Sequence, residues 1–355
     1  MSSARPVWPA PLLPALLLAA CAAPLDDNSA LIVDERLLAV VARPAEVAPG
    51  GVQALTGLWA GPDGLQADAA LGWGVCRRPK PLAELGPASP DCLEAESASL
   101  DPLPDGPTAT LVVPEDACSL FGPNPPPPVE GEEPGRPSDP DITGGFYQPV
   151  AVFGPGAQEG EAAAGIASTR LRCGLANVSQ ETYIAWNEGY HDNLAPEIEA
   201  LDLRVDGDLV PVQREGDAAT ATVPAGAAVA LALRWPECPL EAACGDGVCS
   251  GGETAAACAE DCGATGDRCA GAEAYVVQVP GTDALELARE AVSVAWFTTG
   301  GALDAPRAGR AEDDAARTVE GRWTAPSSPG DELLVAVLRD SRGGISALSL
   351  TLTVD

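Results

Sequence analysis

The chain is 355 residues long, enough for about two domains, and its 52 Asp and Glu against 20 Lys and Arg leave a net charge of −32. A field of that sign repels phosphate backbones and excludes nucleic acid as a partner held by counterion release. With 38 Gly, 35 Pro and only 4% aromatic residues, the composition suits turn-rich β domains better than helix bundles.

In chain order, the first feature is the apolar stretch 12–20, with Arg5 the only charge before it. It is shorter than the roughly 20 residues a membrane span needs, and residues 1–20 read as a targeting segment. The stretch ends in Leu18-Ala19-Ala20-Cys21, which resembles the bacterial lipobox. The resemblance implies a lipoprotein in which Cys21 becomes the mature amino terminus. Its thiol would carry diacylglycerol and its amine a further acyl chain, and several chains together hold stably to a lipid bilayer. Residue 22 is Ala rather than the Asp or Lys that retains lipoproteins at the inner membrane, so the resemblance implies a lipid anchor in the outer membrane. The alternative is an ordinary signal peptide cleaved near Ala20 or Ala23. Residues 21–30 form a tether to either end.

Residues 31–178 hold strand candidates at 37–41, 52–60, 69–76, 108–113, 146–153 and 165–172. The turn signal Gly61-Pro62-Asp63-Gly64 separates two of them. Trp73 beside Cys76 resembles the core of immunoglobulin-like domains, in which a large ring fills the space between sheets. Residues 121–140, with Pro125–Pro128 and an acidic run, form a Pro-rich loop that cannot bury a core. Ser179 is an N-cap candidate for a bridging helix in 179–194.

Residues 195–355 are more plainly β. Leu201-Asp202-Leu203-Arg204-Val205 alternates, and Asp206-Gly207 signals a type I′ hairpin. Further strands are expected at 219–223, 227–235, 274–279, 291–297, 317–324, 332–339 and 345–354, with Gly343-Gly344 turning the last hairpin. Trp296-Phe297-Thr298-Thr299-Gly300-Gly301, Trp323-Thr324-Ala325-Pro326 and Arg339-Asp340-Ser341-Arg342-Gly343-Gly344 resemble bacterial Ig-like and PKD-type repeats. The expected fold class is therefore mainly β: two Ig-like β-sandwich regions, a short bridging helix and a small disulfide-rich insert.

That insert spans 238–269. Cys244-Gly245-Asp246-Gly247-Val248-Cys249, followed by Cys258-Ala259-Glu260-Asp261-Cys262, resembles modules of secreted proteins from myxobacteria and their relatives. The chain has 11 cysteines. Lipidation of Cys21 leaves Cys76, Cys92, Cys118, Cys173, Cys238, Cys244, Cys249, Cys258, Cys262 and Cys269, an even set suited to disulfides. Six cysteines in the insert allow many pairings. The expectation taken to the structure is Cys244–Cys258 crossed with Cys249–Cys262, and Cys238–Cys269 closing the base.

Asp246, Glu253 and Asp261 are hard oxygen donors in one tight loop, so calcium is the cofactor to weigh against no cofactor at all. Zinc is disfavoured by export to an oxidising compartment and by the lack of a nearby His. His191 is the only histidine, and it reads as part of a polar turn. No G-x-S-x-G elbow, phosphate loop or dinucleotide fingerprint is present. The expected function is a non-catalytic structural or binding module that meets an envelope protein or glycan. A calcium-dependent module and a hydrolase are the alternatives.

Overall fold

Alternating strands bury one face each, and the chain stacks those faces into layers. A computed structural model describes residues 29–80, 88–124, 141–156, 162–215, 218–240, 243–249, 253, 256–262 and 267–355. The targeting segment, Cys21 and positions 125–140 of the Pro-rich segment lie outside the described residues. Among the described residues the strands form four larger sheets and two small two-stranded ribbons.

The first sheet runs Glu46–Val47, Ala162–Arg172, Gly145–Pro155, Gly72–Cys76, Leu100–Leu103. The second holds Arg36–Arg43, Val52–Gly61 and Gly64–Leu65, with Thr108–Val112 also paired to Val52–Gly61. Their facing sides enclose a core of Leu55, Trp59, Leu71, Trp73, Leu111, Val150, Val152 and Leu171. Trp73 fills the space between the sheets, and its indole N–H donates to the Gly106 carbonyl at 2.8 Å. Cys76 turns to the opposite face of the first sheet, where it bonds Cys92 under Leu100 and Ala151. That disulfide therefore staples a covering loop, whereas an immunoglobulin-type bridge would cross between the sheets.

The third sheet runs Gln213–Glu215, Ala218–Val223, Ile345–Val354, Gly330–Asp340, Val292–Thr298, Arg307–Arg310. The fourth runs Asp208–Val210, Ala200–Val205, Ala228–Arg234, Thr318–Thr324, Ala302–Leu303. Trp235, Trp296 and Trp323 are core residues between them. Asp206 and Gly207 have φ of 53° and 92°, as a type I′ turn requires.

The second and third sheets also pack on each other. Leu334, Ala336 and Leu338 point to the fourth sheet, while Leu333, Val335 and Val337 point to the second. This strand is thus buried on both faces. Ile32, Leu38, Ala39, Leu58 and Ala60 meet it from the first region. The register of Arg36–Arg43 slips between Leu37 and Ala39, and the resulting bulge puts both Leu38 and Ala39 on the seam. Ile32 is further tied by its N–H to the Thr298 carbonyl at 2.8 Å. The four sheets therefore form one continuous stack, with cores between each successive pair.

The bridging helix is Gln180–Gly189, and the Ser179 hydroxyl accepts from the Thr182 N–H. Trp186 and Tyr190 pack with Leu175 and Val276 against the ribbon Ala274–Gln278/Leu285–Arg289. Gly144, at φ +72°, lets the backbone pass beneath Trp186; a Cβ there would lie 2.3 Å from the ring. Leu285–Arg289 was not expected as a strand. Most of its residues are only partly buried, so the hydrophobic pattern is weak.

Ile32 is 1% exposed and belongs to the seam alone. Ile32→Ala should lower stability in urea by about 2–5 kcal/mol, the usual cost of emptying a packed site. A change within about 0.5 kcal/mol, the range of surface substitutions, would mean that the seam is not packed.

Candidate functional site

The chemistry-bearing side chains converge where both sandwiches, the segment after the helix and the cysteine-rich insert meet. At the base of the ribbon, Glu273 and Glu290 face each other, and each backbone N–H bonds its opposite number, Glu290 N–H to the Glu273 carbonyl and Glu273 N–H to Glu290 Oε2. Two carboxylates so placed repel unless a cation lies between them. Arg342 supplies it from the turn after Gly330–Asp340. Its Nε donates to Glu290 Oε1 at 2.6 Å, Nη2 to Glu273 Oε2 at 2.8 Å and Nη1 to the His191 carbonyl at 3.0 Å. The guanidinium also lies 4.7 Å from the Tyr275 ring centroid. Arg342 is 1% exposed, unusual for a residue in a two-glycine turn.

A second guanidinium, Arg170, comes from the first sheet. It pairs with Glu46 at 3.2 Å, with both side chains almost wholly buried. Arg170 also donates to Thr143 Oγ1 at 2.7 Å and Tyr147 Oη at 3.2 Å. Glu46 accepts from the Tyr190 hydroxyl and from the Asn193 N–H at 2.8 Å. The Asn193 amide then donates to Asp340 at 3.2 Å, and Asp340 also accepts from the Gly344 N–H at 2.8 Å. Arg170 Nη1 closes the loop on the Arg342 carbonyl at 3.5 Å.

Four buried carboxylates here outnumber two buried guanidiniums, and the titrations reflect it. Burial raises Glu290 well above the ordinary range, against the pull of Arg342. Burial likewise pushes Asp340 up to about 6, against the Gly344 N–H and Arg342. Burial alone would lower Arg342, but Glu290 and Glu273 reverse the direction and hold it protonated. Tyr190 is raised by burial and by the adjacent Glu46.

The insert docks on this junction. Its disulfides are Cys238–Cys269, Cys244–Cys258 and Cys249–Cys262, and Cys118–Cys173 ties the short helix Ala117–Phe121 to the end of Ala162–Arg172. Three disulfides in so short a segment supply stability that its small core cannot, at about 2–4 kcal/mol each. Asp261 is 2% exposed. Its carboxylate accepts from the N–H groups of Gly245 and Gly247 at 2.6 and 3.1 Å, two glycines at left-handed φ of 97° and 85°. Asp246 turns elsewhere and accepts from the Val248 N–H at 2.8 Å. Of the three candidate calcium ligands, the fold brings together Glu253 and Asp261, whose oxygens lie within 4.8 Å of one another and of the Cys258 sulfur. That sulfur is in a disulfide and is not a thiolate. Asp261 holds the loop backbone, and Asp246 stands outside the pair.

His191, read from the sequence as part of a polar turn, is the clasp between insert and junction. Its Nε2 donates to the Glu253 carbonyl, 2.6 Å away. Burial holds its pKa below the ordinary value, against that hydrogen bond, so the neutral ring is favoured. Arg342, Arg170 and Glu46 carried no local signal, since their partners lie 23 to 172 residues away. The two residues after Arg342, Gly343-Gly344, were the one clue that this turn is tightly built.

No family model matches the chain, and no curated protein does. Among solved structures, dimeric latent PorU from Porphyromonas gingivalis is 13% identical, with 91% of this chain covering 34% of that one, at a TM-score of 0.20. The chain thus spans about a third of PorU. The C-terminal domain of the Streptococcus agalactiae AgI/II polypeptide BspA is 13% identical over 87% of this chain and 94% of that one, at 0.19. SGBP-B of the Bacteroides ovatus mixed-linkage glucan utilization locus, in complex with a heptasaccharide, is 9% identical over 90% and 70%, at 0.14. At such scores these likenesses carry no argument, and the mainly β fold stands on the sheets themselves.

Asp340 titrates near 3.9 in an unfolded chain and about 6 in the fold. The folded state therefore binds the proton more tightly, and its contribution to stability is full below about pH 4 and lost as pH rises through about 6. Asp340→Asn, with the Asn193 amide turned to offer its oxygen, should flatten the fall in stability between pH 4 and 6. Identical pH profiles for the two proteins in urea would show that Asp340 is not the titrating group.

Proposed function

We propose that this chain is a lipid-anchored protein of the cell envelope whose folded part is a rigid, non-catalytic binding module for an envelope protein or glycan. The observation that carries the reading is cysteine parity. All ten cysteines from Cys76 onward pair into five disulfides, as suits a protein exported to an oxidising compartment. Of the 11 in the chain, the remaining one is Cys21, placed at the end of a lipobox-like sequence. Lipidation gives that thiol a role without breaking the even set.

Two features support a binding module over an enzyme. The only histidine is committed through its ring to the insert, and the carboxylates at the junction are committed to guanidinium and backbone groups. A stack of sheets with buried cores at each layer also suits display, because it holds loops and edges in fixed relation.

Intact-mass analysis of the protein from its native membrane tests this. The expected mass is the chain from Cys21 onward plus acyl groups, less ten hydrogens for the five disulfides. Cys21→Ala should leave the membrane fraction. An unacylated mass, or a Cys21→Ala protein that stays membrane-bound, would overturn the anchor.

A further inference from the structure

Ten arginines among the described residues lie within 4.0 Å of a carboxylate. Four that rim the seam between the second and third sheets do not: Arg36, Arg43, Arg307 and Arg339. Three reach across the seam to groups that are not acids. Arg43 donates to the Ile345 carbonyl at 2.9 Å and Ser346 Oγ at 2.8 Å. Arg339 donates to the Leu38 carbonyl at 3.5 Å, and the Arg36 guanidinium lies 5.4 Å from the Phe297 ring centroid. The charged group that acts on Arg339 is Arg307, which is also positive. Asp34 acts on Arg36 and Glu197 on Arg43, so in a chain of net charge −32 the uncompensated positive charge lies at Arg339 and Arg307.

Arg339 stands at the mouth of a cleft of about 390 Å³ that opens beside the seam. Leu37, Val40 and Ile166 give it apolar walls, and Tyr147 and Ser168 add an aromatic ring and a hydroxyl. The Tyr147 side chain is 39% exposed. Asp340 is the one acid in the lining, and its carboxylate is turned to Asn193 and Gly344. Arg339, which lines the cleft, makes a single long bond to the protein, so most of its five N–H donors are unspent. A guanidinium in that state matches a carboxylate through two parallel hydrogen bonds.

We infer that this cleft binds a carboxylate-bearing sugar, with the carboxylate on Arg339 and the sugar ring on Tyr147 and the apolar walls. The volume lies within the range of small-ligand sites, about 300–1,000 Å³, and holds a short saccharide. The overall negative field penalises a doubly charged phosphate more than a singly charged carboxylate. Sugar hydroxyls find a partner in the exposed Ser168. The inference deepens the binding-module reading and rests on it, but it does not need the anchor. An empty cleft in an acylated protein and a filled cleft in an unacylated one are separate results.

The test is calorimetry on the full-length protein in detergent with methyl galacturonide, which carries one carboxylate, beside the uncharged methyl galactoside. Saturable binding of the acidic sugar is expected, weakened by salt, with the neutral sugar not bound. Arg339→Ala should weaken binding at least about tenfold, as losing a charge-assisted hydrogen bond does, and Arg339→Lys should restore part of it. The Arg339 side chain is exposed, so both variants should melt like the parent, and Tyr147→Ala gives an independent loss from the other wall. No heat from the acidic sugar at millimolar concentration, equal binding of the neutral sugar, or unchanged binding by Arg339→Ala would overturn the inference. So would a Glu-rich peptide that binds where the sugar does not.

Discussion

A guanidinium removed from water is costly unless charges and acceptors surround it on every side. Arg342 meets that demand only if the ribbon, the chain after the helix and the last hairpin all stand where they do. Glu290 and Glu273 lie on the ribbon, the His191 carbonyl lies after the helix, and Arg342 itself sits on the hairpin turn. Displacing any one of these would strand a buried charge. Arg170 imposes the same condition on the first sandwich through Glu46, and the two centres touch through the Arg342 carbonyl. The network is thus a specificity device: it adds little net stability against an apolar replacement, but it penalises every other arrangement of the parts.

The apolar stack and the ionic junction divide the work. Burial of Leu333–Leu338 on both faces supplies area, and each fully buried aliphatic side chain contributes about 1.5–3 kcal/mol. Hydrophobic contact is non-directional, so the seam alone would tolerate sliding of one sandwich on the other. The junction, at one end of the seam, fixes the register, and the insert is clasped to it by His191. Such internal rigidity keeps the seam cleft and its arginine rim in a constant shape.

Local features were legible in the sequence. Ser179 caps the helix, Asp206-Gly207 forms its turn, and Leu201–Val205 lies in a strand, because each depends on neighbours a few residues away. The insert has the crossed disulfides that were expected, although six cysteines left the pairing open in the sequence. The stacking of the two sandwiches was not foreseen, although a signal existed. Leu333-Leu334-Val335-Ala336-Val337-Leu338 is an unbroken apolar run, and a strand in an antiparallel sheet with one wet face would alternate. The junction was illegible for a different reason. Glu46, Arg170, Glu273, Glu290 and Arg342 look like any of the chain's 72 charged residues, 52 acidic and 20 basic, until the fold brings them together.

The claim on which the account depends is that both sandwiches and the ribbon are locked as one unit by Arg342. Urea unfolding of the parent and of Arg342→Met, followed by hydrogen exchange in peptides from 52–76, 274–290 and 330–354, tests it most directly. The account predicts one coincident transition for all three segments in the parent. Removing one partner of a buried ion cluster should cost about 3–5 kcal/mol, with the ribbon losing protection ahead of the two sandwiches. Separate transitions in the parent, or a cost within about 0.5 kcal/mol, would contradict it.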